Sequence, residues 1–295
     1  MTKGKDYIAL NILAYMIIGI MAIVAVAPFL ILLVSSFQSE DTILRMGYSL
    51  VPREIDFTAY EFIFKSPVKI LHSYSVTIFI TVVGTSASLF FSSMAAYVLS
   101  RKDVRYRNQL SFYIFFTTLF SGGLVPYYLL VSNYLMLRNT IYILLFSGLF
   151  NAVYVLIIRT NIKSNIHDSL SESAKIDGAN DFVIFIKIIL PLLKSSLASI
   201  GLFVALGYWN DWFTSSLFID NESLYPLQYL LYKMLSFTSI AQKLFSQNGA
   251  VSSMKAPGET IKLAMTIVAT GPIILAYPFA QKYFVEGMTI GAVKG

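Results

Sequence analysis

The sequence predicts an all-α integral membrane protein with six transmembrane helices, and three observations carry that prediction. Hydrophobic residues make up 56% of the 295-residue chain and charged residues only 13%, with a mean hydropathy of +0.68. Soluble domains carry about 25% charge. Six apolar stretches approach or exceed the ~20 residues that cross a bilayer as a helix. Strand-type alternation is missing from all of them, and a backbone in lipid must satisfy its polar groups within its own segment, so helices are implied.

The expected spans cover roughly residues 12–34, 74–99, 110–131, 140–158, 188–208 and 261–280, within one transmembrane domain of residues 1–295 whose core is about 72–282. In the first, Lys3 and Lys5 precede an apolar run in which Ala25-Val26-Ala27 imitates a signal-peptidase site. The run continues to Val34, too long for a signal h-region, so an uncleaved helix is expected. The second places Gly84, Ser88, Ser92 and Ala96 four apart on one face, a spacing that lets helices approach closely or lines a polar path. In the third, Gly122-Gly123 and Pro126 free backbone groups that neighbours must satisfy, as do Gly271-Pro272 in the sixth, and bends are expected at both, from packing or as kinks used in gating. Asn151 in the fourth is read as interhelical glue or a ligand contact. The fifth ends in Tyr208-Trp209-Asn210-Asp211-Trp212. Flat indole faces beside amides and a carboxylate suit sugars, so Trp209, Asn210 and Trp212 join Asn151 as candidate substrate-path residues; an interfacial aromatic belt is the competing reading.

Placing the N-terminus inside puts thirteen of the 22 Lys and Arg residues in cytoplasmic segments and nine outside. The short Arg101 to Arg107 loop decides the orientation, because it holds Arg101, Lys102, Arg105 and Arg107 while the next outer loop offers only Arg138. Both termini are then cytoplasmic. Two outer segments are long, Ser35 to Ser73 and about Asn210 to Thr260, the latter broken by Pro226 and by Pro257-Gly258.

Other functions find little support. There are no cysteines and two histidines, so disulfides, thiolate metal sites and a catalytic cysteine are excluded, and no metal site or catalytic residue is assigned. The pI near 9.2 reflects bases that flank apolar spans and form no basic face, so nucleic acid is not an expected partner. No acid, Arg or His lies mid-span, which argues against a proton- or sodium-coupled carrier. The phosphate loop G-x-x-x-x-G-K-[ST] is missing, so an active transporter would draw on ATP hydrolysed by another chain.

The loop of about residues 164–187 holds the strongest signal. Ser169-Leu170-Ser171-Glu172 has capping-box spacing, so a short helix is expected to start there with Glu172 complementing its dipole. Gly178 supplies a left-handed residue to end it. Ser173 and Ala174 leave a small-residue face for close approach, with Lys175 and Asp177 as polar rim. A second helix from about Asp181 is expected to run into the fifth span as a rigid lever, with Pro191 near its membrane end. On local physics alone, an ordinary helix-turn-helix connector fits equally well.

Glu172, Ala174, Gly178, Ile188, Leu190 and Pro191 resemble the cytoplasmic-loop motif (E-A-A, three residues, G, nine residues, I-x-L-P) of binding-protein-dependent ABC transporter permeases. The endings Ala95-Ala96-Tyr97-Val98-Leu99-Ser100-Arg101 and Tyr277 to Gly287 with Gly291 to Gly295, and Leu224-Tyr225-Pro226-Leu227-Gln228, are similar to the carbohydrate (MalG-like) subfamily, particularly the branch related to LplC and YtcP. Ser173 replaces the second alanine of the motif, and His167 stands where a proline often precedes the coupling helix. The resemblance implies a type I ABC importer permease fold with a cytoplasmic coupling helix, in a bacterial plasma membrane. It also implies a heterodimer with a second homologous permease, two ATPase subunits that bind ATP and Mg, and an extracellular sugar-binding lipoprotein; this chain itself would hold no cofactor. Ser169, Glu172, Ser173, Ala174, Lys175, Asp177 and Gly178 would contact the ATPase. A permease for a peptide or other solute, or a non-transporting membrane scaffold, are the alternatives.

Overall fold

The computed structural model describes residues 5–65, 67–247 and 258–292. Lys3, Pro257 and Val293 to Gly295, which the sequence singled out, lie outside them. In chain order the helices are α1 (Lys5–Ser35), α2 (Glu40–Met46), α3 (Thr58–Phe64), α4 (Pro67–Ser100), α5 (Arg107–Leu119), α6 (Leu124–Leu129), α7 (Ile141–Phe146), α8 (Ala152–Asn165), α9 (Asp168–Ile176), α10 (Asp181–Ile184), α11 (Leu190–Leu192), α12 (Lys194–Trp209), α13 (Phe213–Phe218), α14 (Leu227–Gln247) and α15 (Glu259–Ala292). Single π turns occupy Leu130–Tyr134 and Phe185–Ile189, and a 3-10 turn Glu222–Leu224. The described chain divides into two compact units, Met1–Pro67 with Lys233–Pro272, and Val68–Tyr232 with Ile273–Gly295.

In the first unit, α1 carries its apolar run without a break through Ala25-Val26-Ala27 and Pro28. None of its side chains from Leu10 to Val34 is buried. Phe37 stacks on Tyr60 with ring centroids 4.9 Å apart, and the Tyr60 and Ser36 hydroxyls lie 2.8 Å from each other. The Glu40 carboxylate accepts the Glu259 and Thr260 amides, each at 2.9 Å, and the Thr260 hydroxyl at 2.8 Å. An anion there satisfies otherwise orphaned donors at the N-terminus of α15 and complements its dipole.

The second unit is organised around α4, whose 34 residues rise about 50 Å. Ala96 and Tyr97 pack with Val155 and Ile158 of α8, Ile184, Phe185 and Leu193 of the loop segment, and Val204 and Tyr208 of α12. Towards the other end, Val76 and Ile80 join Val131, Ile143, Phe218 and Tyr225. The small-residue stripe belongs to this core, with Ser88 and Ser92 each 1% exposed. That is the packing role. Its tightest point is Tyr208: a Cβ on Gly84 would lie 2.5 Å from the ring and one on Gly148 2.8 Å from it, while the hydroxyl donates to the Leu145 carbonyl at 2.6 Å.

Among the described residues two helices, Leu10–Ser35 and Pro67–Ser100, are long and apolar enough to cross a membrane, or up to four if each of two bent pairs is one span. Three expected spans are not straight helices. The segment 110–131 bends by 113° between Leu119 and Leu124, where Phe120 is extended and Gly123 has φ +88°. The segment 140–158 breaks between α7 and α8, because Asn151 is extended and its side chain accepts the Val153 amide at 2.9 Å, starting a new helix. The segment 188–208 bends by 81° at Leu193. Pro191 lacks an amide and crowds the carbonyl four residues back, and the π turn at Phe185–Ile189 is the local widening that accommodates it. Gly271-Pro272, by contrast, sit inside an unbroken α15.

Gly84→Val forces the larger side chain into the Tyr208 ring. The purified chain should lose about 1–3 kcal/mol, the usual overpacking penalty, read as a lower thermal midpoint in detergent. Gly84→Val with Tyr208→Leu should recover part of it.

Candidate functional site

The helix expected in the cytoplasmic loop is α9, and its start differs from the capping-box reading. The helix begins two residues earlier, at Asp168, with His167 in the N-cap place, extended at φ −74° and ψ 139° and with no side-chain cap. Ser169 therefore lies inside the first turn, and Glu172 sits in the second turn and not at the reciprocal position. Asp168 takes the dipole-complementing place in the first turn, and Lys175 the matching one in the last. A proline-free start explains the shift, since nothing before Asp168 locks the chain.

The C-terminal end follows the sequence closely. Gly178 has φ +83°, its amide donates to the Lys175 carbonyl at 3.0 Å, and the Ala179 amide reaches back to the Ala174 carbonyl at 2.9 Å. This is a Schellman closure, and it needs a residue at ease in the left-handed region. Asn180 then caps α10 by accepting the Val183 amide at 2.9 Å. The lever after it is an elbow, not a straight continuation of α12. Ile184, Phe185, Ile189 and Leu193 anchor it in the core, all but fully buried. Phe185 stacks on Tyr97 at 5.8 Å between centroids.

Charged residues tie α9 to the end of α4. The Arg101 guanidinium, 15% exposed, pairs with Asp103 and, at 2.6 Å, with Asp181, and lies 5.6 Å from the centre of the Tyr97 ring. Lys175 reaches Asp103 at 3.1 Å and Asp181 at 3.4 Å, and Lys102 reaches Asp168 at 2.6 Å. The hydrogen bond from Arg101 holds the Asp103 carboxyl well below the usual carboxylate range, with Lys175 adding to it, and Arg101 does the same for Asp181. The bond from Asp103 in turn raises Lys175. Asp103, Asp168 and Asp181 were missed by sequence reasoning. The available signal was acids alternating with bases in a loop already marked as basic.

With α9 held on that side, its other surface is open. Ile176 is 86% exposed and Leu170 45%, Ser173, Asp177 and Gly178 are exposed, and a Cβ added at Gly178 would meet no atom within 4 Å. Apolar side chains with a polar rim on a rigid turn form a surface suited to a close protein contact.

The residues at the end of the fifth expected span form a second cluster. Trp212 stacks on Tyr232 at 4.4 Å between centroids and stays 39% exposed. Asn210, just beyond α12, receives the Gln228 amide on its Oδ1 at 3.2 Å and donates to the Leu206 carbonyl at 2.9 Å. Trp209 is the last residue of α12 and half-buried. Asn151 is exposed and its side-chain oxygen caps α8. Gln228 and Tyr232 are additions from the structure, Gln228 from the Leu224 to Gln228 stretch already noted. Among the described residues, no group of His, Cys or acids could hold a metal.

The family of binding-protein-dependent transport system inner membrane components matches residues 88–290. The chain belongs to this family. It is 40% identical over 97% of its length to the polygalacturonan/rhamnogalacturonan transport system permease protein YtcP of Bacillus subtilis (strain 168), covering 98% of that protein. It is also 38% identical to protein LplC of the same organism, over 99% of this chain and 96% of that one. Among solved structures it resembles a bacterial ABC transporter involved in the import of the acidic polysaccharide alginate, with a TM-score of 0.81 and 31% identity, covering 96% of this chain and 99% of the other. The helical fold is that of an ABC transporter permease, and the protein is a membrane component.

Arg101→Gln leaves Asp103 and Asp181 without their guanidinium partner and should loosen α9. Limited proteolysis of the purified chain should cut the 165–181 loop several-fold faster, with the membrane level unchanged and Arg101→Lys intermediate. Because Arg101 lowers both carboxyls and Asp103 raises Lys175, that resistance should be flat from about pH 5 to 8 and decline only as acid reaches the lowered carboxyl values.

Proposed function

We propose that this permease is a membrane-spanning subunit of an ATP-driven importer that takes up a carbohydrate, an oligosaccharide or complex glycan, delivered by an extracellular binding protein. The observation that carries the reading is an exposed helix braced by ion pairs to the ends of the spans, in a chain whose relatives bear polysaccharide-transport names. As a transport permease the chain performs no catalysis. ATP and Mg are bound by separate ATPase subunits, two per complex, beneath a pair formed with a second homologous permease. The protein sits in a bacterial plasma membrane with both termini cytoplasmic and lipid around its apolar helices.

In this mechanism the ATPase seats on α9 through Leu170, Ile176 and the small surface of Ser173 and Gly178, with Glu172, Lys175 and Asp177 at the rim. Displacement of α9 passes through α10 and the Leu193 elbow into α12, because Ile184, Phe185 and Ile189 are packed too tightly to slip. The far end of α12 presents Trp209, Asn210 and Trp212. Indole stacking on sugar C–H faces and amide bonds to hydroxyls would hold the glycan there. The motor works by preferring one of two packings of the same helices.

Gly178→Asp separates coupling from folding. Backbone strain of about 1 kcal/mol is expected, and with open space around the Cβ the permease should insert at normal level. The added carboxylate nonetheless intrudes on the partner contact, so uptake should fail and the ATPase be released from the membrane. Normal uptake would leave α9 as a mere connector.

Trp212→Ala and Asn210→Ala, measured by uptake of labelled pectic or alginate oligosaccharides at matched expression, should each reduce transport about tenfold, as expected for loss of a stacking or paired hydrogen-bond contact. An aromatic belt would instead show as a lower membrane level with normal uptake per molecule.

A further inference from the structure

The ion pairs that brace α9 consume its acids and leave a group of cations behind. Asp103, Asp168 and Asp181 are taken by Arg101, Lys175 and Lys102. Arg107, at the start of α5, and Arg159 and Lys163, one turn apart near the end of α8, have no acidic partner among the described residues. They share one place. Arg107 donates to the Arg101 carbonyl at 3.0 Å and Arg159 to the Leu99 carbonyl at 3.1 Å, both at the end of α4. Partial burial, then the repulsion of Arg159 and Arg107, holds the Lys163 ammonium below the ordinary lysine range. Capping α4 accounts for the two arginines. It does not account for Lys163, which has no hydrogen-bond partner among the described residues.

An apolar groove of about 460 Å³ is lined by Phe91, Met94 and Val98 of α4, Leu110 and Ile114 of α5, and Leu149. Its cationic end is defined by sequence neighbours: Val98 precedes Leu99, and Leu110 lies about one turn beyond Arg107. From Val98 to Phe91 the groove follows α4 for about 10 Å along the span, the direction an acyl chain takes from a headgroup. Three cations at the mouth of an apolar groove match an anion attached to a hydrocarbon chain, and basic pockets between helices on the cytoplasmic side suit anionic headgroups.

We propose that this seam binds an anionic phospholipid of the cytoplasmic leaflet, with its phosphate among Arg107, Arg159 and Lys163 and an acyl chain in the groove. The assignment to that leaflet rests on the orientation given above. Bound lipid would offset the mutual repulsion of the three bases beside the braced loop and fill the space between α4 and α5.

Native mass spectrometry of the full-length permease, purified without ATPase or sugar and exposed to phosphatidylglycerol or phosphatidylcholine, tests the site directly. Wild type should retain phosphatidylglycerol at least about tenfold over phosphatidylcholine, since each base near an anionic headgroup adds close to a factor of five to ten. Lys163→Gln should weaken that preference, and Arg159→Gln with Lys163→Gln should abolish it. Ile114→Trp, which fills the groove and leaves the bases, should also reduce retention. Lys163 is exposed and makes no hydrogen bond or ion pair among the described residues, so its variant reports on binding even where the double variant unfolds. Equal retention of the two lipids by wild type, or an unchanged preference in Lys163→Gln and Ile114→Trp, would overturn the proposal. So would full displacement by inorganic phosphate, which would mark a free-anion site. The readout needs no transport, so a failed uptake assay and a failed lipid assay remain separate results.

Discussion

The loop that carries α9 is attached to the bundle by two interactions of different kinds that meet at the last turn of α4, and the rest of the site depends on their meeting there. Tyr97 stacks on Phe185, and Arg101, one turn later, leans on the same tyrosine while it pairs with Asp103 and Asp181. The apolar contact fixes where the loop enters the core. The ionic contacts fix which way α9 faces. Because Lys175 belongs both to α9 and to this cluster, turning α9 about its axis would break pairs that the buried segment cannot follow.

Magnitudes separate the two roles. Exposed ion pairs contribute about 0.2–1 kcal/mol each, and Lys102, Asp103, Lys175 and Asp181 are all substantially exposed. Burying one large apolar side chain contributes roughly 1.5–3 kcal/mol, and Ile184, Phe185, Ile189 and Leu193 are all but fully buried. The anchor therefore supplies most of the hold and the charges supply orientation. The proposed transmission of displacement would use this division, since an orientation held by weak, reversible pairs can adjust as a partner docks while the attachment stays put.

The family, the helical class and the turn at Gly178 were legible in the sequence because each follows from a local rule: apolar run length, a left-handed residue after a short helix, a motif at set spacing. The helix start at Asp168 was misread. Ser169 and Glu172 satisfy the capping-box pattern, but a helix can begin wherever a preceding residue is extended, and His167 is. A bend was expected at Gly122-Gly123 and Pro126, and the chain turns there, but none was expected at Asn151 or Leu193, since hydropathy says nothing of direction. Asn151 was visible as an unusual residue in an apolar run, and only the structure shows it starting a helix. The ion pairs escaped because pairing Asp103 with Lys175 across the chain is a tertiary fact. At the other end of α12, Trp212 and Asn210 were legible as chemistry, but Tyr232 and Gln228 came to them only through the return of α14.

A different contact bears on how α12 can connect the two ends. Its last turn is held at Tyr208, whose ring fills the space left by Gly84 and Gly148 and whose hydroxyl is spent on the Leu145 carbonyl. Such a contact has little room for gradual deformation, because a packed interior yields by moving between discrete arrangements more readily than by stretching. A displacement arriving at the Leu193 elbow is thus either absorbed by the π turn at Phe185–Ile189, where the backbone is already widened, or carried past Tyr208 to Asn210 as movement of α12 as a whole. The burial of Phe185 and Ile189 on both sides of that turn favours the second course, since absorbing the motion there would pull fully packed side chains out of the core.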